Sequence, residues 1–116
     1  MAGLYFHIPF CKRICAYCDF FREADLTRID GALEAMHLEM EEQREFLVED
    51  RIRTIYFGGG TPSLIRPAEL QSLIDSAAGL WDCGQVGEIT VEANPDDLTA
   101  EYIDQLRRTA VNRVSL

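Results

Sequence analysis

Glu88-Ile89-Thr90-Val91-Glu92-Ala93-Asn94-Pro95 is the stretch on which the fold turns. Alternation puts Ile89, Val91 and Ala93 on one face of a strand and Glu88, Thr90 and Glu92 on the other. Asn94-Pro95 closes it, because a proline nitrogen cannot join a ladder. In an α/β barrel the outer strand face is covered by helices and must be apolar. The carboxylates would then point inward, with Glu92 nearest the carboxyl end, where such folds gather their functional groups. The competing reading of Glu92 is a solvated edge carboxylate.

Outward from this strand the same period recurs. Gly3-Leu4-Tyr5-Phe6-His7-Ile8 alternates Leu4, Phe6 and Ile8 against Tyr5 and His7, and Pro9 ends it. A further strand is predicted at 52–57 and another from about Asn112 to Leu116. Between them lie segments of helical period. Ile29, Leu33, Met36, Met40 and Leu47 make one stripe over 27–49, with Thr27 or Asp25 as the cap. Pro67 opens a second helix over 67–78, whose apolar face is Leu70, Leu73, Ile74 and Ala77. A loop with two glycines fills 80–87, and a third helix runs from Thr99 to Arg108. Strands alternating with helices imply a parallel sheet, either open or part of a barrel. Val114-Ser115-Leu116 stops with no covering helix, so the expectation is a fragment of a larger domain, aggregated or disordered in isolation, with an open sheet ending there as the alternative.

Four cysteines are present, and three of them, Cys11, Cys15 and Cys18, form a C-x3-C-x2-C cluster after the first strand. Thiolates are soft ligands suited to iron–sulfur clusters, zinc and copper(I). Structural zinc sites and ordinary [4Fe–4S] clusters take four ligands. Three close cysteines leave one metal position open, as catalysis requires. Zinc with a fourth ligand such as His7 or Asp19 is the alternative. Cys83 stands apart and reads as an ordinary packing cysteine.

Gly58-Gly59-Gly60-Thr61-Pro62-Ser63 leaves the carboxyl end of the second strand. Glycines let a backbone approach a ligand closely. The run matches neither a P-loop nor a dinucleotide fingerprint. A plain turn and a ligand loop both fit it, and its place one strand over from the cysteines favours the second.

The chain has 116 residues, 47% hydrophobic and 27% charged, with a net charge of −9. That is ordinary globular composition without the basic footprint of a nucleic-acid binder. The acidic stretch from Glu34 to Asp50 reads as a solvated helix face. No apolar run approaches the ~20 residues of a membrane span, and no signal peptide is apparent. The expected location is the cytoplasm, where clustered cysteines bind metal more often than they pair.

Tyr5-Phe6-His7-Ile8-Pro9-Phe10-Cys11, Cys15-Ala16-Tyr17-Cys18-Asp19-Phe20, Phe57-Gly58-Gly59-Gly60-Thr61-Pro62-Ser63 and Val91-Glu92-Ala93-Asn94-Pro95 together resemble the oxygen-independent coproporphyrinogen III oxidase group of radical S-adenosylmethionine (SAM) proteins. The likeness covers essentially the whole chain, with the motifs in the family's order. It implies an α/β fold, a partial radical SAM (β/α)6 barrel of about three βα units plus a fourth parallel strand, with residues 1–116 as the N-terminal part of the core domain. It implies that Cys11, Cys15 and Cys18 ligate a [4Fe–4S] cluster whose open iron chelates SAM. Electron transfer would then release methionine and a 5′-deoxyadenosyl radical, the cofactor doing the hard chemistry. Gly59, Gly60 and Thr61 would touch SAM by backbone groups, Tyr5 and Glu92 would complete its site, and Tyr17 would sit beside it.

The oxidases follow the third cysteine with a Gly-Cys pair. Here Asp19-Phe20 resembles the heme chaperone branch of the group. The implied function is therefore binding heme and passing it to target proteins, with SAM, heme or porphyrin and an electron donor as partners. The rival is oxidative decarboxylation of coproporphyrinogen III to protoporphyrinogen IX, and a zinc-binding module is the third reading. His7 and His37 read as structural residues, not heme ligands.

Overall fold

The computed structural model describes residues 2–8, 29–47, 51–60 and 62–116. Strand β1 (Ala2–Ile8) is followed by helix α1 (Ile29–Glu42) and a 3-10 turn at Arg44–Leu47. Strand β2 (Ile52–Gly59) leads through a 3-10 turn at Pro62–Leu64 to helix α2 (Pro67–Leu80). Strand β3 (Glu88–Glu92), a 3-10 turn at Pro95–Asp97, helix α3 (Ala100–Leu106) and strand β4 (Arg113–Ser115) complete the order. The strands are all parallel, in the order β1-β2-β3-β4. The α/β expectation holds.

One face of the sheet builds the core. Phe6, Ile8, Ile55, Phe57, Ile89 and Val91 are buried on it, together with Leu33 and Met40 of α1, Leu70, Leu73 and Ala77 of α2 and Leu106 of α3. The expected apolar face of α2 is buried in full. The opposite face is polar. Tyr5, Tyr56, Thr90 and Arg113 lie side by side across the four strands. A doubly wound sheet would need helices on both faces. Among the described residues the helices lie on one face and the polar groups on the other, as in one wall of a barrel.

Three local features differ from simple periodicity. The register skips a residue between Ala2↔Ile52 and Gly3↔Thr54, a bulge at Arg53 that places both Ile52 and Ile55 in the core. Strand β2 also runs two residues further than expected, because Gly58 and Gly59 pair with His7 and Ile8. The long first helix ends at Glu42 instead of continuing to 49. There the chain passes into the 3-10 turn, and the Trp81 indole N–H donates to the Arg44 carbonyl at its start at 2.9 Å. The cap expected from Asp25 or Thr27 lies outside the described residues.

Helix α3 is capped by Thr99, whose hydroxyl oxygen accepts the Tyr102 N–H at 3.1 Å. His37 pins α1 to α2 through a 2.7 Å hydrogen bond between Nδ1 and the Ser76 hydroxyl, a structural role as expected. Cys83 is half-buried against the core, and burial raises its thiol pKa. Glu34, Glu39, Glu41, Glu42 and Glu45 are all exposed, so the described part of the acidic stretch is a solvated face. Among the described residues no helix is long and apolar enough to cross a membrane.

Candidate functional site

At the carboxyl ends of β2 and β3 the polar face becomes a site. Glu92, half-buried, is held at both oxygens. Oε2 accepts from the Tyr56 hydroxyl at 2.6 Å and Oε1 from the Gly59 backbone N–H at 3.1 Å. The hydrogen bond to Glu92, with burial adding to it, raises the Tyr56 hydroxyl above its ordinary pKa. No cation pairs with Glu92 among the described residues; the ion pair on this face, Glu88 with Arg113, lies at the opposite ends of the strands. A half-buried carboxylate held by neutral donors keeps its charge available to a positive ligand.

The glycine turn is shaped by close approach. Gly59 has φ +107°, and a Cβ there would come within 2.7 Å of the Ile8 carbonyl oxygen. That carbonyl accepts the Gly60 N–H at 2.7 Å. At Gly58 a Cβ would strike the rings of Tyr5 and Tyr56. Only glycine lets the turn pass this close to β1 and still aim an N–H at Glu92.

Tyr5, 59% exposed on the polar face, stacks on Tyr56 with centroids 5.8 Å apart and planes at 13°. The His7 Nδ1 is 3.5 Å from the Tyr5 hydroxyl. Gly60, Pro62, Glu92, Ala93, Asn94, Ser115 and Leu116 line a cavity of about 350 Å³ at this end. Its rim is tied by Ser63, only 4% exposed. The Ser63 hydroxyl donates to Asp97 Oδ2 at 2.8 Å and accepts the Asn94 N–H at 3.1 Å. The Asn94 side chain in turn accepts the Asp96 N–H.

The structure thus brings Tyr5, Gly59, Gly60 and Glu92 to one end of the sheet. Cys11, Cys15, Cys18, Tyr17, Asp19 and Thr61 lie outside the described residues. The chain enters the cysteine segment from Ile8, at the same end, where Ile8 pairs with Gly59. Sequence reasoning missed Tyr56 and the Ser63–Asp97 tie. Tyr56 was within reach of it: counting alternately back from Gly58 puts it on the polar face, opposite Tyr5.

Several known proteins resemble this chain. A model of the radical SAM superfamily matches residues 5–116. The chain is 46% identical over 113 residues to the heme chaperone HemW of Lactococcus lactis, covering 97% of this chain and 29% of that protein. It is 38% identical over 117 residues to HemW of Bacillus subtilis, covering 99% and 31%. It also superposes on the structure of coproporphyrinogen III oxidase (HemN) from Escherichia coli, a radical SAM enzyme. The TM-score there is 0.75 with 25% identity, over 97% of this chain and 26% of that one. The chain therefore spans less than a third of the length of these proteins.

Proposed function

The chain belongs to the radical SAM superfamily, and from that premise we propose that it is the N-terminal part of a heme chaperone core that binds SAM beside a [4Fe–4S] cluster. The observation that carries the reading is Glu92: an anion fixed at both oxygens at the carboxyl end of the sheet, facing a cavity and paired with no cation among the described residues.

The donor set fits the implied groups. Cys11, Cys15 and Cys18 supply three soft thiolates, one fewer than a closed site. Glu92 offers negative charge to the cationic cofactor, and the Gly59–Gly60 turn brings backbone close to it. Tyr5 lies on the same wall. Thr61 and Tyr17 complete the SAM site in this reading. A cluster bound there would supply an electron to the SAM sulfonium. The protein's own part is to hold the cofactor and exclude water and oxygen.

The chaperone reading rests on the HemW relatives and on Asp19-Phe20 in place of a Gly-Cys pair. The likeness to HemN keeps coproporphyrinogen oxidation as the second reading. The test is anaerobic reconstitution of the protein in its complete encoded form with iron and sulfide. We expect about four irons per chain, SAM binding by calorimetry, and at least tenfold weaker binding in Glu92→Gln. Zinc in place of iron, or unchanged affinity in that variant, would overturn the site. Heme uptake and transfer without conversion of coproporphyrinogen supports the chaperone; product formation selects the oxidase.

A further inference from the structure

Glu92 has two acceptor oxygens, and β2 reaches both. The Gly59 N–H comes from the end of that strand and the Tyr56 hydroxyl from three residues earlier. A carboxylate held at one oxygen can still pivot about that bond. Held at both, it keeps a single orientation, with its remaining lone pairs free for a ligand. The 2.6 Å contact from Tyr56 is the shorter of the two, as a hydroxyl donating to an anion should be.

Tyr56 is itself held. Its ring stacks on Tyr5, which is its register partner on β1. A chain of contacts therefore crosses the polar face from β1 through β2 to β3, ending on the carboxylate. We infer that Tyr56 is a positioning residue of the SAM site, acting through Glu92 by fixing the carboxylate in the orientation that receives the cofactor. This deepens the proposed function and rests on it. The alternative is that Tyr56 only fills space beside Tyr5, in which case its hydroxyl is dispensable.

The experiment is a double-mutant cycle on SAM affinity. It uses the complete encoded protein with its cluster reconstituted anaerobically, read by calorimetry in wild type, Tyr56→Phe, Glu92→Gln and the double variant. Phenylalanine keeps the ring and its stacking and removes only the donor. We expect Tyr56→Phe to weaken SAM binding by about tenfold. We expect the double variant to bind like Glu92→Gln alone, because the hydroxyl acts only through the carboxylate. The calorimetric stoichiometry reports the folded fraction apart from the dissociation constant, so a folding defect appears as fewer sites and not as weaker binding. Tyr56→Phe binding SAM within about twofold of wild type, or losses that multiply in the double variant, would overturn the inference. Wild type that takes up iron but binds no SAM would overturn the reading of the site, and the inference with it.

Discussion

Two aromatic pairs sit back to back in the same two strands. Phe6 stacks on Phe57 with centroids 4.9 Å apart and planes at 14°. One residue earlier in each strand, Tyr5 stacks on Tyr56 at 5.8 Å and 13°. The same parallel register makes both. Phe6 and Phe57 are 7% and 0% exposed, whereas Tyr5 is 59% exposed. The phenylalanines face α1 and α2, and their value is the area they remove from water. The tyrosines face the open side, and theirs lies in the polar ends: a hydroxyl on Glu92 and a ring wall beside the glycine turn. A single backbone geometry thus serves stability on one face and, under the proposed function, recognition on the other.

The comparison predicts that stability and ligand affinity separate by face. Phe57→Ala should show the largest loss of stability, about 3 to 5 kcal/mol, because the cavity lies in the middle of the core. Chemical denaturation measures it, and SAM affinity of the fraction that remains folded should change little. A cost under about 1 kcal/mol would mean that this face is not the core.

Ser63 tests the seam between the two regions, since it is buried yet rims the site. Ser63→Ala removes the donor to Asp97 and leaves the Asn94 N–H without its acceptor, at a cost of roughly 1 to 3 kcal/mol. Because Asn94 lines the cavity with Glu92, SAM affinity should fall as well. Loss of stability with full affinity would place Ser63 wholly with the core.

A smaller effect is expected from Tyr102, whose hydroxyl donates to the Ile65 carbonyl at 2.8 Å and fastens α3 to the segment after the glycine turn. Burial, with the nearby Asp97 charge adding to it, pushes its pKa up to about 12. An unfolded tyrosine titrates near pH ~10. The folded state thus favours the neutral phenol, a stabilisation complete below the unfolded value and lost as pH climbs through the folded one. Allowing for its partial exposure, the loss is about 1 to 2 kcal/mol. Urea titrations across the alkaline range should show this decline in wild type and a shallower one in Tyr102→Phe. That variant should start about 1 kcal/mol lower at neutral pH.

Much of this was legible in the sequence because burial imposes period. Helix α2 was readable from Pro67 and the Leu70, Leu73, Ile74, Ala77 stripe, and Glu92 from alternation along β3. The end of α1 was not: there the chain passes into a 3-10 turn whose first carbonyl meets Trp81, a contact far along the chain. Nor was the bulge at Arg53, which no local pattern demands: strict alternation would have set Ile52 against Ile55. The Ser63–Asp97 tie joins residues that meet only once two strands are in register. Tyr56 is different in kind. Its face was readable, but a tyrosine on a polar face becomes a clamp only when its neighbour's carboxylate is seen to lie within reach.

Glu92→Gln gives the smallest effect on stability and so the sharpest form of the contrast. Glutamine is nearly the same size and keeps a carbonyl oxygen that can accept the Gly59 N–H. Its amide can donate to the Tyr56 hydroxyl oxygen, and that half-exposed hydroxyl can turn its own proton to water. No cation among the described residues loses its counter-charge. Stability should therefore stay within about 0.5 kcal/mol of wild type, the range of a substitution that leaves packing and partners intact. The negative charge is what disappears, and a cationic ligand feels it directly. A thermal midpoint that barely moves while SAM affinity collapses would show that Glu92 is kept for its charge and not for the fold. A midpoint falling as far as that of Phe57→Ala would erase the distinction between the two faces.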